Sequence, residues 1–415
     1  MDRTESQSSR PIERRSLLRS LGPGFITAAV VIGPGSITVA SKIGAAVGTQ
    51  LLWAFVIAGS FMMLFTAMSA RIGVLSKQSL LTTVAMHYGR WLAVVMGLLA
   101  FIVCASFQMG NYLACGTALA TLTGVGEMVW MAVVGVAALA FVFAARRLYQ
   151  ALETVMLTLV IVMLAAFIGN LVVARPHPLE VLSGFVPRIW PVGMTGLVTA
   201  MVATTFSVIA ALYQSTLAQQ KGWRENDLRT GIKDSLAGIS VLLGISLMIA
   251  MTSATVLRGA SIDNAAHLAS QLEPLLGHTA VLLFGLGFLA ASFSSTVVNA
   301  MIGGGLLADS LGLGADINAL PLRLFTALGM GVGMAAGVYT LYTGTPLEGI
   351  VIAQKTTILA VPLCALVMIV LANDFRVVRE HRNSLAANGW AVFAFLVLLA
   401  MSIFRVSEML GHRLF

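Results

Sequence analysis

Eleven apolar stretches of about 20 residues recur along this chain, each long enough to cross a hydrocarbon core of about 30 Å as an α-helix. They fall near 22–46, 50–70, 91–120, 127–145, 152–174, 193–219, 235–257, 278–307, 323–342, 347–371 and 386–405. Lipid offers no water to backbone N–H and C=O groups, so each stretch must satisfy its own ladder, and helices are the expected solution. Composition agrees. Of 415 residues, 58% are apolar and 10% charged, with a mean hydropathy of +0.92, which excludes a soluble globular chain. We read one all-α polytopic membrane domain over 1–415. The first stretch is too long for a signal-peptide core of roughly 7–15 residues, so it is expected to stay uncleaved.

Charge sets the expected topology. Eighteen Lys and Arg residues lie in alternate connections, from Arg3 in the N-terminal tail through Arg71, Lys77 and Arg90 to Arg376, Arg379 and Arg382. Six lie on the opposite side, among them Lys42, Arg258 and Arg405. Positive loops mark the cytoplasmic face, which places the N-terminus inside and the C-terminus outside. The excess of basic residues therefore follows from topology, and no nucleic-acid partner is expected. Cys104, Cys115 and Cys364 all fall within spans, act as small apolar fillers and suggest no zinc site.

The first span is interrupted by Gly33-Pro34-Gly35-Ser36. Glycine and proline release the backbone from its ladder, and free backbone groups at membrane depth are tolerated only beside protein or a water-filled cavity. Five spans later, Thr204, Thr205, Phe206, Ser207 and Gln214 again place polar groups in mid-span. Matching interruptions in two five-span halves point to inverted repeats with a binding site at their interface. The halves are read as 22–174 and 193–371, after a cytoplasmic tail at 1–20 and before an extra helix at 386–405. Ser and Thr bonding back to carbonyls, or gluing helices together, is the plainer alternative for the second interruption.

Motifs along nearly the whole chain resemble the NRAMP (natural resistance-associated macrophage protein) family of proton-coupled divalent-metal transporters. These are Gly22-Pro23-Gly24-Phe25, Leu51-Leu52-Trp53, Ser69-Ala70-Arg71-Ile72-Gly73-Val74, Gly116-Thr117-Ala118, Ser294-Ser295-Thr296, and Gln354 with Pro362. The resemblance implies a LeuT-type fold of two inverted five-helix repeats plus one helix, with helices 1 and 6 broken. It also implies a secondary transporter in a bacterial-type inner membrane, with no enzymatic activity and no cofactor.

The metal motif of the family is absent. Where the family has Asp-Pro-Gly-Asn, this chain has Gly33-Pro34-Gly35-Ser36, and the family's Ala-Thr-Val-Met-Pro-His aligns with Thr204-Thr205-Phe206-Ser207-Val208-Ile209. The acids of the family's proton path align with Gly110 and Leu113, and a second histidine aligns with Gln214. No metal ligand of the motif is retained. Neutral hydroxyls compensate poorly for the dehydration of a divalent ion. This argues for a small organic solute carrying a carboxylate or amide, moved by alternating access with H⁺ or Na⁺ coupling.

The expected solute site comprises Gly33, Gly35, Ser36, Ile37 and Thr38 at the start of a half-helix whose N–H groups would face a carboxylate. Thr204, Ser207 and Gln214 would add hydrogen bonds and Phe206 an apolar cover. Lys355, about nine residues into its span and roughly 13 Å deep, has no evident carboxylate partner. It would meet an anionic solute or carry the coupled proton, unless it snorkels or is held neutral by burial. Ser295 and Thr296 are candidates for a coupling ion, although small residues there also suit close packing. The alternatives are a divalent-metal (Mn²⁺ or Mg²⁺) transporter, since Mg²⁺ can keep its water, and a substrate-sensing membrane receptor.

Overall fold

The computed structural model describes residues 27, 31–144, 165, 168–169, 171–189, 193–263, 265–273, 277, 280–314, 316 and 319–411. The tail at 1–20, the Gly22–Phe25 motif and most of the span expected at 152–174 lie outside the described residues. Within them the elements are α1 (Pro34–Val47), α2 (Leu52–Ser76), α3 (Leu80–Tyr88), α4 (Arg90–Thr123), α5 (Glu127–Ala144), α6 (Pro178–Gly184), α7 (Thr195–Thr205) and α8 (Val208–Gln220). They continue with α9 (Leu228–Val256), α10 (Ala265–Ser270), α11 (Ala280–Ser310), α12 (Leu320–Thr343), α13 (Pro346–Thr357), α14 (Val361–Leu371), α15 (Phe375–Val378) and α16 (Leu385–Met409). Eight helical segments among the described residues are long and apolar enough to cross a membrane, and α5 is a shorter apolar helix.

Both expected interruptions are present. α1 starts at Pro34, whose missing N–H costs nothing at a helix start, behind an extended Gly33. α7 and α8 are separated by Phe206 and Ser207, both with ψ near +90°, and the Ser207 hydroxyl accepts from the Ala210 N–H to restart the helix.

A third interruption departs from the continuous span expected at 347–371. α13 ends at Thr357, and the N–H groups of Ile358, Leu359 and Ala360 bond three residues back rather than four. Pro362 explains this, because it cannot donate to the Ile358 carbonyl and its ring crowds that turn.

Small residues let the helices approach closely, as packing between membrane helices requires. A Cβ on Gly44 of α1 would lie 2.3 Å from the Ala250 carbonyl oxygen of α9. α11 packs along α4 in the same way, where a Cβ on Gly97 would meet Ser310 Oγ at 2.2 Å. At the two breaks, residues of α1, α4, α7, α11 and α13 come together around one point. Cys104, Cys115 and Cys364 are buried, unpaired fillers.

Candidate functional site at the helix breaks

Ser36 and Thr204 bring the two breaks together, with Ser36 Oγ 2.8 Å from Thr204 Oγ1. Ser36 gives its only proton to the Val31 carbonyl, so Thr204 donates to Ser36. Around this pair lies a cavity of about 20 Å³ lined by Val31, Gly33, Pro34, Gly35, Ser36, Phe107, Asn111, Thr204, Ser207, Asn299 and Gln354. That is room for a water or a small ion, and not for an organic molecule of several heavy atoms. The wall is rich in neutral oxygen acceptors, and no acidic or sulfur-bearing side chain lines it among the described residues.

Helices outside the breaks supply the amides. Asn111 on α4 donates its NH₂ to Gln108 Oε1 at 2.9 Å, and Gln108 donates to the Thr296 carbonyl of α11. This relay leaves the Asn111 oxygen for the cavity. Gln354 on α13 is 4% exposed, and its Oε1 has no hydrogen-bond partner. Gly35 makes that placement possible, because a Cβ there would lie 2.0 Å from Gln354 Nε2.

The other expected site residues are distributed more widely. Ile37 and Thr38 are buried beyond the cavity wall, and the Ile37 N–H already bonds the Gly33 carbonyl. Pro34 has no N–H, so the half-helix presents fewer donors than expected. Phe206 packs edge-on against Phe65 and Phe61, with centroids at 5.2 Å and 6.4 Å, and does not line the cavity. Gln214 accepts from Thr27 at 2.6 Å and donates to Ser235 at 2.9 Å, tying helices together away from the breaks. Ser295 Oγ is buried without a partner and would be 2.8 Å from a Cβ on Gly33, whereas the Thr296 hydroxyl bonds back to the Ser292 carbonyl.

Lys355 needs correction on two points. It lines a second cavity of about 560 Å³ with Lys42, Glu348 and Glu408, rather than the cavity at the breaks. It also has a carboxylate partner, Glu408 Oε1 on α16, at 3.7 Å. Adjacent residues on a helix point about 100° apart, so Gln354 faces the small cavity and Lys355 the large one. Glu408 lies 53 positions along the chain, and only tertiary packing reveals the pair. Asn299 was not anticipated either. It stands on the face of α11 that carries Ser292 and Ser295, and its i, i+3, i+7 spacing was readable as a polar stripe.

Among the described residues no group of three or more His, Cys, Asp or Glu side chains could hold a metal ion. A family model described as natural resistance-associated macrophage protein-like matches residues 24–407. The divalent metal cation transporter MntH of Deinococcus radiodurans is 26% identical over 411 residues, covering 96% of this chain and 91% of that protein. A manganese transporter from Eremococcus coleocola superimposes with a TM-score of 0.81 at 16% identity, covering 98% of this chain and 91% of that one. MhsT, solved in complex with L-phenylalanine, gives a TM-score of 0.61 at 14% identity, covering 91% of this chain and 98% of that one. The fold is thus the LeuT type expected from the sequence.

Proposed function

The chain belongs to the natural resistance-associated macrophage protein-like family, and from that premise we propose that it carries a divalent metal cation across a membrane by alternating access. This replaces the organic solute, and the small-molecule partner, expected from the missing carboxylate. Membership of the family overturns that expectation, together with a metal-transporting relative matched over nearly the whole chain. The single observation that carries the reading within the site is its chemistry, a cavity of about 20 Å³ where two helices break, whose polar lining is the hydroxyls of Ser36, Thr204 and Ser207 and the amides of Asn111, Asn299 and Gln354.

Neutral oxygens favour a hard cation such as Mg²⁺ or Mn²⁺ over a soft one. Thr204 and Ser36 form one wall, Asn111 and Gln354 offer amide oxygens, and Ser207 adds a hydroxyl. The C-terminal end of α7 brings its last free carbonyls to the same place, beside the N-terminal ends of α1 and α8. Soft ions gain nothing from such a wall, because thioether and thiolate ligands are absent from the lining among the described residues. Membrane location follows from the spans, and we place the N-terminus in the cytoplasm on the basic-loop bias.

Uptake of Mg²⁺ and Mn²⁺ into proteoliposomes containing the wild-type protein tests this reading, with imposed H⁺ or Na⁺ gradients identifying the coupling ion. Saturable uptake above protein-free vesicles is expected. Its absence for both metals, with folded protein, would overturn the assignment.

A further inference from the structure

Resting on the metal-transport reading, we propose that Asn299 of α11 is a direct oxygen ligand of the transported cation and sets its preference for hard over soft ions. Asn299 is 7% exposed and lines the cavity, and its amide makes no hydrogen bond among the described residues. A buried amide without partners is costly, and it is tolerated where something in the cavity completes it.

The rest of α11 makes the contrast. The hydroxyls of Ser292 and Thr296 bond back to the carbonyls of Phe288 and Ser292, and neither lines the cavity among the described residues. Ser295 Oγ, without a partner among the described residues and next to Gly33, and Asn299, on the cavity wall, lie four residues apart on the same helix face. Gly33 stands on the facing wall close against Ser295, since a Cβ added there would lie 2.8 Å from Ser295 Oγ, 3.5 Å from Ser295 Cβ and 4.0 Å from Asn111 Oδ1. Asn111 has its NH₂ tied to Gln108, while Asn299 keeps both amide atoms free, so it can turn its oxygen to a cation as the cation arrives.

The geometry makes Asn299 the ligand that α11 contributes where the first span offers no carboxylate. An amide oxygen is a hard donor, so it holds Mg²⁺ and Mn²⁺ in preference to Cd²⁺. Selectivity is therefore written partly on a helix remote in sequence from the break.

The test uses the purified full-length protein, with calorimetric binding of Mn²⁺ and Cd²⁺ and proteoliposome uptake of both. Asn299→Met should shift the Mn²⁺:Cd²⁺ preference by about tenfold or more toward Cd²⁺, because a soft thioether replaces a hard amide oxygen. Asn299→Asp should tighten Mn²⁺ about tenfold by adding a charge to a low-dielectric site. A purely structural role would lower both metals together and leave their ratio unchanged, and that result would overturn the proposal. If Asn299→Met fails to fold, Asn299→Asp alone decides, and unchanged Mn²⁺ binding by it sinks the assignment. Wild-type protein that neither binds nor carries any metal would overturn the metal-transport reading itself, whereas wild-type activity with unshifted variants would overturn only the role of Asn299.

Discussion

Thr204 donates a hydrogen bond to Ser36 at 2.8 Å, and it joins the breaks of two membrane spans that are 168 residues apart in sequence. Thr204→Val keeps the shape and removes the donor, leaving Ser36 bonded to Val31 alone. A stability loss of about 1 kcal/mol is expected, as for a typical intramolecular hydrogen bond. Metal affinity should fall with it. Thermal unfolding in detergent and calorimetric Mn²⁺ binding check the two effects separately. An unchanged melting temperature together with unchanged binding would remove the pair from both roles.

Restoring a carboxylate at the break should strengthen metal binding. Gly33→Asp places a negative charge beside the oxygen wall, and the Ser295 hydroxyl has only to rotate away from the new Cβ. A gain of about tenfold or more in Mn²⁺ affinity is expected from Coulomb attraction at low dielectric. Equal affinity in calorimetry would mean that residue 33 does not face the cation.

Gly35 has a different constraint. Any Cβ there would overlap the Gln354 amide at 2.0 Å, so Gly35→Ala must expel Gln354 from the cavity wall. Uptake should be lost in Gly35→Ala. The double variant Gly35→Ala with Gln354→Ala should recover folded yield but not uptake. Recovery of transport in the double variant would show that Gln354 is dispensable.

Lys355 and Glu408 form a partly exposed pair at 3.7 Å, with side-chain exposures of 19% and 40%. Such pairs contribute about 1 kcal/mol or less. Lys355→Met should therefore change the melting temperature little and leave Mn²⁺ binding at the breaks intact. A large loss of binding affinity in this variant would return the lysine to the central site.

Outside the spans, Asp374 is held by Arg376 at 2.7 Å and accepts from the Tyr88 hydroxyl at 2.7 Å. The Arg376 guanidinium keeps its carboxyl well below the usual carboxylate range, with the Tyr88 bond adding to the effect. A depressed carboxylate contributes stability above its unfolded pKa of about 3.9, and that contribution drains away as pH falls toward the folded value. Melting curves from pH 6 downward should show wild type losing more stability below about pH 4 than Asp374→Asn does. Parallel curves would exclude the carboxylate as the acid-sensitive group.

Much of this protein was legible before any fold was known. Gly33-Pro34-Gly35 announced its break because proline and glycine act on their own backbone. The polar run at Thr204–Ser207 marked the second interruption for a similarly local reason. The expectations that failed depended on distance. Phe206 looked like a cavity wall until α2 brought Phe61 and Phe65 against it, and Lys355 looked unpaired until α16 returned Glu408 to its side. The missing aspartate argued for an organic solute because neutral ligands compensate poorly for the dehydration of a divalent ion, and it is the family match that overturns this.

Local backbone chemistry and apolar length thus determined the spans and where two of them break, because each depends on a few neighbouring residues and the lipid around them. Only the tertiary structure decided which side chains meet at the breaks. Asn111, Asn299 and Gln354 stand on three helices far apart in sequence, and close packing through glycines such as Gly35 and Gly97 brings their oxygens to one cavity.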